Sequence, residues 1–104
     1  MTYGITTHVP APAEMYDAVH AKLLARTGSD VDGLLLHLAR ATENGFEAVE
    51  VWESRDHYDR YNRELVEPVI AELAGTETPA SPGSPQITEF EVRGLVIPRG
   101  AIAV

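Results

Sequence analysis

His37, Glu50, Trp52, Tyr58 and Tyr61 are the residues of this 104-residue chain whose types and spacing offer chemistry. They sit in residues 33–73, GLLLHLARATENGFEAVEVWESRDHYDRYNRELVEPVIAEL. An imidazole is the side chain that changes charge near neutral pH, so His37 in an apolar pocket can take a proton from a phenol. Glu50 would orient that imidazole or balance its charge. Trp52 would stack an aromatic ring, and Tyr58 and Tyr61 would donate hydrogen bonds from the segment that follows. His8, near the amino end, joins this group if its side chain faces the same way. The blander alternative is that His37 and Glu50 satisfy each other while Trp52 fills a core.

Placing these residues depends on the hairpin. Residues 33–42 read as a strand, and Asn44-Gly45 is a strong two-residue turn signal. With the turn there, Glu43 faces Phe46, Ala41 faces Ala48, Ala39 faces Glu50 and His37 faces Trp52. The same register puts Leu36, Leu38, Val49 and Val51 on the opposite side. A slip of one residue would exchange the two faces.

The flanking segments complete the pattern. Residues 2–9 are rich in β-branched types and read as a first strand, broken by Pro10 and Pro12. Pro12 suits a helix start. Met15, Tyr16, Val19, Leu23 and Leu24 recur at helical spacing, and Thr27-Gly28 ends the run. His20 falls among them as a surface or boundary residue. Ser54 is a good cap for a second helix, with His57 in its solvated first turn. That helix carries Tyr58, Tyr61, Leu65, Val69 and Leu73 as one apolar stripe, with an expected kink at Pro68. Residues 75–86 form a Pro/Gly/Ser-rich loop. Residues 87–97 read as the last strand, and a short tail follows.

Composition narrows the classes of function. One domain spans residues 1–104, without internal repeats. The net charge of −8, with eight scattered basic residues, argues against nucleic acid as a partner. No apolar run is long enough to span a membrane, and no secretion signal opens the chain, so a cytoplasmic location is expected. There is no cysteine, and the His and carboxylate spacing matches no metal motif. Neither a metal nor a cofactor is expected.

The order strand, helix, strand, strand, helix, strand predicts an α+β, ferredoxin-like βαββαβ fold, with two helices on one face of a four-stranded antiparallel sheet. The hairpin is apolar on both faces, and two helices can cover only one. Leaving Leu36, Leu38, Val49 and Val51 in water would forgo about 1.5–3 kcal/mol each. A face-to-face homodimer is the simplest cover; an irregular loop or the tail is the alternative.

The run Val49-Glu50-Val51-Trp52-Glu53-Ser54, leading into Arg55-Asp56-His57-Tyr58, resembles the dimeric α/β-barrel superfamily and, within it, the antibiotic biosynthesis monooxygenase type. The resemblance implies a pocket inside each subunit, between sheet and helices, with Trp52 as the strand Trp that looks into it. It also implies that the other sheet faces form a central barrel in the dimer. Family members include cofactor-independent oxygenases of polyphenolic polyketides and haem-degrading enzymes. The latter use a His on the second helix and an Asn on the first strand. Here the helix offers His57 only in its first turn, and the first strand carries Thr6, Thr7 and His8 with no Asn. The expected activity is therefore cofactor-free monooxygenation, or a related cyclisation or isomerisation, of a small aromatic or polyketide-like molecule. His37 and Glu50 would be catalytic, and Trp52, Tyr58, Tyr61 and His8 would bind substrate. A non-catalytic ligand-binding or sensing dimer, and a structural protein whose pocket is filled by its own side chains, stay open beside it.

Overall fold

The computed structural model describes residues 2–76, 85–100 and 102–104. The elements run β1 (Tyr3–Val9), α1 (Ala13–Thr27), β2 (Leu34–Thr42), β3 (Gly45–Trp52), α2 (Arg55–Tyr61), a π-helical turn (Asn62–Val66), α3 (Glu67–Thr76) and β4 (Gln86–Phe90). The sheet order is β2-β3-β1-β4, antiparallel throughout. This is the ferredoxin-like arrangement expected from the order of elements.

The hairpin register differs from expectation by two residues. Phe46 pairs with Ala41 rather than Glu43, and His37 pairs with Glu50 rather than Trp52. The turn thus passes through Glu43 and Asn44, while Gly45 opens β3. The reason is crowding. A Cβ on Gly45 would lie 2.1 Å from the Val9 carbonyl oxygen, so the glycine is needed where the end of β1 crosses the hairpin. Because the shift is even, every side chain keeps its predicted face. An irregularity between Leu34 and Leu36 then brings Leu34 opposite Trp52.

Rows of side chains cross the sheet. On one face run Leu34, Trp52 and Tyr3, then His37, Glu50, Ile5 and Glu89. Tyr16 and Tyr58 pack on this face from the helices, against Phe46 and Trp52 respectively. Among the described residues the buried hydrophobic core is small and consists of Ile5, Ala11, Val51, Trp52 and Val69. The other face carries Leu36, Val51, Gly4 and Phe90, then Leu38, Val49, Thr6 and Thr88. Gly4 has no side chain there because the Phe90 ring takes the space, 2.4 Å from where a Cβ would stand. Leu36 and Leu38 remain exposed on this face, Leu38 by 60%.

Ser54 caps α2 as expected, its hydroxyl accepting from the His57 backbone N–H. The irregularity expected at Pro68 takes the form of the π-helical turn just before it. Proline supplies no N–H to the preceding turn, and the wider helical turn absorbs the mismatch. Two expectations need correction. β4 ends at Phe90, and residues 91–97, exposed except for half-buried Val92, lie outside any strand. Gly75 and Thr76 belong to α3 rather than to the following loop; most of that loop, residues 77–84, lies outside the described residues. Among the described residues no helix is long and apolar enough to cross a membrane.

Candidate active site

β2 and β3 bring His37 and Glu50 side by side because they are register partners with the same facing. His37 Nδ1 lies 2.6 Å from Glu50 Oε2. The other carboxylate oxygen, Oε1, accepts the indole N–H of Trp52 at 3.3 Å. Residues 50 and 52 share a face by strand alternation, so the indole reaches back along its own strand to the carboxylate. Both partners of the pair are shielded, with side-chain exposures of 26% for His37 and 15% for Glu50. A carboxylate fixing one imidazole nitrogen leaves the other to do chemistry.

That other nitrogen is engaged by a residue of the helical stripe on α1. The Tyr16 hydroxyl on α1 lies 2.6 Å from His37 Nε2 and 3.2 Å from His20 Nδ1. His20 Nε2 in turn lies 2.6 Å from the main-chain oxygen of Val104. The rings of Tyr16, His20 and His37 are within 18° of parallel. Tyr16 and His20 stand four residues apart and so share a helix face, which the sequence does display. It does not display that this face crosses β2.

Trp52 is fully buried, with Tyr58 and Tyr61 packed on it at ring-centroid distances of 5.9 and 5.3 Å. In this packing both faces of the expected aromatic shelf belong to the core, and a ligand stacking there must displace a tyrosine. Burial, and then the negative charge of Glu50, push the Tyr61 phenol up to about 12. The same two causes, with a smaller contribution from Asp17, take Tyr16 to about 12. Tyr58 is raised as well, first by burial and then by Glu50. All three are therefore uncharged hydrogen-bonding phenols at neutral pH.

His8 does not join the group. It pairs with Glu47, on the opposite face of the sheet, where Arg40 also pairs with Glu47 at 3.4 Å. Strand alternation alone separates it from Ile5 and His37. His57 turns away from the site too. Its Nδ1 lies 2.6 Å from the Ser54 hydroxyl, and its Nε2 points to Asp32 at 3.9 Å. Asp32, Glu53 and His57 have one ligand atom each within 4.8 Å of one another. Arg60 reaches Asp32 at 3.4 Å, so this acidic group already has a cation of the protein's own. A cavity of about 160 Å³ opens beside these residues, with Tyr61 in its lining. Tyr61 thus stands between that cavity and Trp52.

No protein-family model and no curated protein matches the chain. Solved structures do. A candidate antibiotic biosynthesis monooxygenase from Caulobacter crescentus superposes with a TM-score of 0.67 at 16% identity, covering 89% of this chain and 91% of that one. A single-site variant of SnoaB, a cofactor-independent oxygenase from Streptomyces nogalater, gives 0.56 at 18% identity, with coverages of 94% and 96%. A monooxygenase from Streptomyces coelicolor, solved with the ligand nanaomycin D, gives 0.55 at 20% identity, with coverages of 94% and 92%. The chain has the fold of the antibiotic biosynthesis monooxygenases.

Proposed function

We propose that the protein is a cofactor-independent monooxygenase acting on a small aromatic, polyketide-like substrate between the sheet and its helices. The observation that carries this reading is the shielded His37–Glu50 pair, its carboxylate further held by Trp52, in a fold that proteins described as monooxygenases share. Such chemistry asks a protein for a base, a counter-charge and a site sheltered from water.

His37 Nε2 would take a proton from an acidic C–H of a phenolic ring system, and Glu50 would stabilise the imidazolium through Nδ1–H. The substrate carbanion gives an electron pair to dioxygen, and with a proton from the imidazolium it becomes a carbon-bound hydroperoxide. Loss of water then leaves a carbonyl. A CH₂ and O₂ thus become C=O and H₂O, and the substrate supplies all the reducing electrons. Tyr58 and Tyr61 would hydrogen-bond substrate oxygens as uncharged phenols. The exposed face bearing Leu36, Leu38 and Phe90 would be covered by the same face of a second copy, giving a homodimer.

A second reading rests on a specific observation: Trp52 is fully buried and both His37 ring nitrogens are engaged. A site closed in this way suits a binding module that opens for a ligand without transforming it. Oxygen uptake with a panel of polycyclic phenols, comparing the protein with His37→Ala, separates the two. Turnover lost in the variant supports the enzyme. Saturable binding with no uptake in either protein supports the binding module, and undiminished turnover in His37→Ala sinks the mechanism.

A further inference from the structure

We propose that Tyr16 and His20 form a proton relay that joins His37 to the protein surface, and that the relay stores one extra proton. The inference rests on the site assigned above and concerns how its base is charged. Glu50, His37, Tyr16, His20 and the Val104 oxygen are linked in series by four hydrogen bonds. Four bonds need four hydrogens. A carboxylate and a main-chain oxygen only accept, while neutral His37, the Tyr16 phenol and neutral His20 bring one hydrogen each. The chain of bonds therefore closes only with one proton beyond the neutral side chains. Glu50 accepts from the Trp52 indole through its other oxygen as well, and we place the extra proton on an imidazole.

Two arrangements satisfy the geometry equally. In one, His37 is the cation: it donates to Glu50 and to the Tyr16 oxygen, and Tyr16 donates to His20. In the other, His20 is the cation: it donates to Tyr16 and to Val104, and Tyr16 donates to His37 Nε2. They interconvert when one proton moves from His37 to the Tyr16 oxygen and the Tyr16 proton moves on to His20. No bond other than O–H and N–H changes, and no net charge is created. The Tyr16 phenol, pushed up to about 12, serves as a conduit that does not itself stay ionised.

The ends of the relay lie in different surroundings. His37 is shielded, whereas the bond from His20 to Val104 is exposed. Among the described residues, the charged and titratable groups that act on Tyr16 and His37 are Glu50 from β3, Asp17 from α1 and Tyr61 from the end of α2. A proton resting on His37 disables it as a base, and one resting on His20 leaves Nε2 of His37 able to accept. Tyr16 and His20 are thus positioning residues that set the state of the base between turnovers.

Nitrogen-15 NMR of the histidine rings in the full chain tests this without any substrate. In the parent protein the His20 and His37 signals should move together across one shared titration. In Tyr16→Phe they should follow separate curves. His20→Gln, changed at the exposed end, should likewise alter the curve of His37, and it serves if Tyr16→Phe does not fold. A His37 curve identical in the parent protein, Tyr16→Phe and His20→Gln overturns the relay. Oxygen uptake reports separately: coupled titration with no turnover on any phenol keeps the relay and removes the monooxygenase reading, whereas uncoupled titration in an active enzyme does the reverse.

Discussion

The Tyr16 hydroxyl stands 2.6 Å from His37 Nε2, on the side of the imidazole away from Glu50. A phenolic ligand whose hydroxyl meets Nε2 would have to take this position. Ligand and Tyr16 are therefore competitors for one hydrogen bond, whose net worth in water is about 0.5–1.5 kcal/mol. Tyr16→Phe removes the competitor and keeps the ring. A phenolic ligand should then bind about three- to tenfold more tightly in a fluorescence titration of Trp52. An unchanged dissociation constant would place the ligand away from His37.

The raised phenols of Tyr16 and Tyr61 make stability depend on alkaline pH in a defined sense. Their ordinary value is 10.0, and the folded value is about 12 for each. Below pH 10 both states hold the proton, and the tyrosines contribute no pH dependence. Between about 10 and 12 the unfolded chain ionises while the folded one resists, so stability falls across that window. Urea midpoints taken from pH 8 to 11 should be flat and then decline. In Glu50→Gln the decline should be shallower, because one of the causes raising both phenols is gone.

Gly33 fixes how α2 begins. Its φ is +80°, and a Cβ would stand 2.3 Å from the His57 ring, which Ser54 holds at Nδ1. Gly33→Ala meets both a backbone cost of about 1–2 kcal/mol and a steric conflict with the imidazole. Urea denaturation should show a loss of at least that backbone cost. In His57→Ala the steric part should vanish, so the same glycine change should cost less in that background. Equal costs in the two backgrounds would show that the imidazole does not set the penalty.

Sequence patterns reached the fold and the shared face of half of the candidate site for one physical reason. Strand alternation and helical spacing are local, so the faces carrying His37, Glu50 and Trp52 were legible even though the register was two residues off. Asn44-Gly45 misled because Gly45 answers the approach of Val9 rather than the turn itself. The placement of His8 also follows from alternation, but only once β1 is aligned on β3. Tyr16 and His20 were visible as neighbours on α1. Their role was not, because it depends on where α1 crosses the sheet and on Val104, 84 residues beyond His20. The burial of Trp52 by Tyr58 and Tyr61 is likewise tertiary.

Leu38 decides the proposed dimer. It is 60% exposed on β2, the edge strand of the sheet, between Leu36 and the Arg40–Glu47 pair on the same face. If a second sheet covers this face, a carboxylate at this position would be buried twice in the symmetric interface, once from each copy. Such burial without a partner is costly enough to break an interface. Leu38→Glu should therefore sediment as a monomer at concentrations where the parent protein sediments as a dimer. The alternatives give different results. A parent protein that is already monomeric would end the face-to-face assembly, and a variant that stays dimeric would move the interface to another face. Because the side chain is exposed within one subunit and lies opposite the His37 face, the variant should keep the His37–Glu50 hydrogen bond in the same NMR spectra. Loss of that bond together with the dimer would tie the site to the assembly.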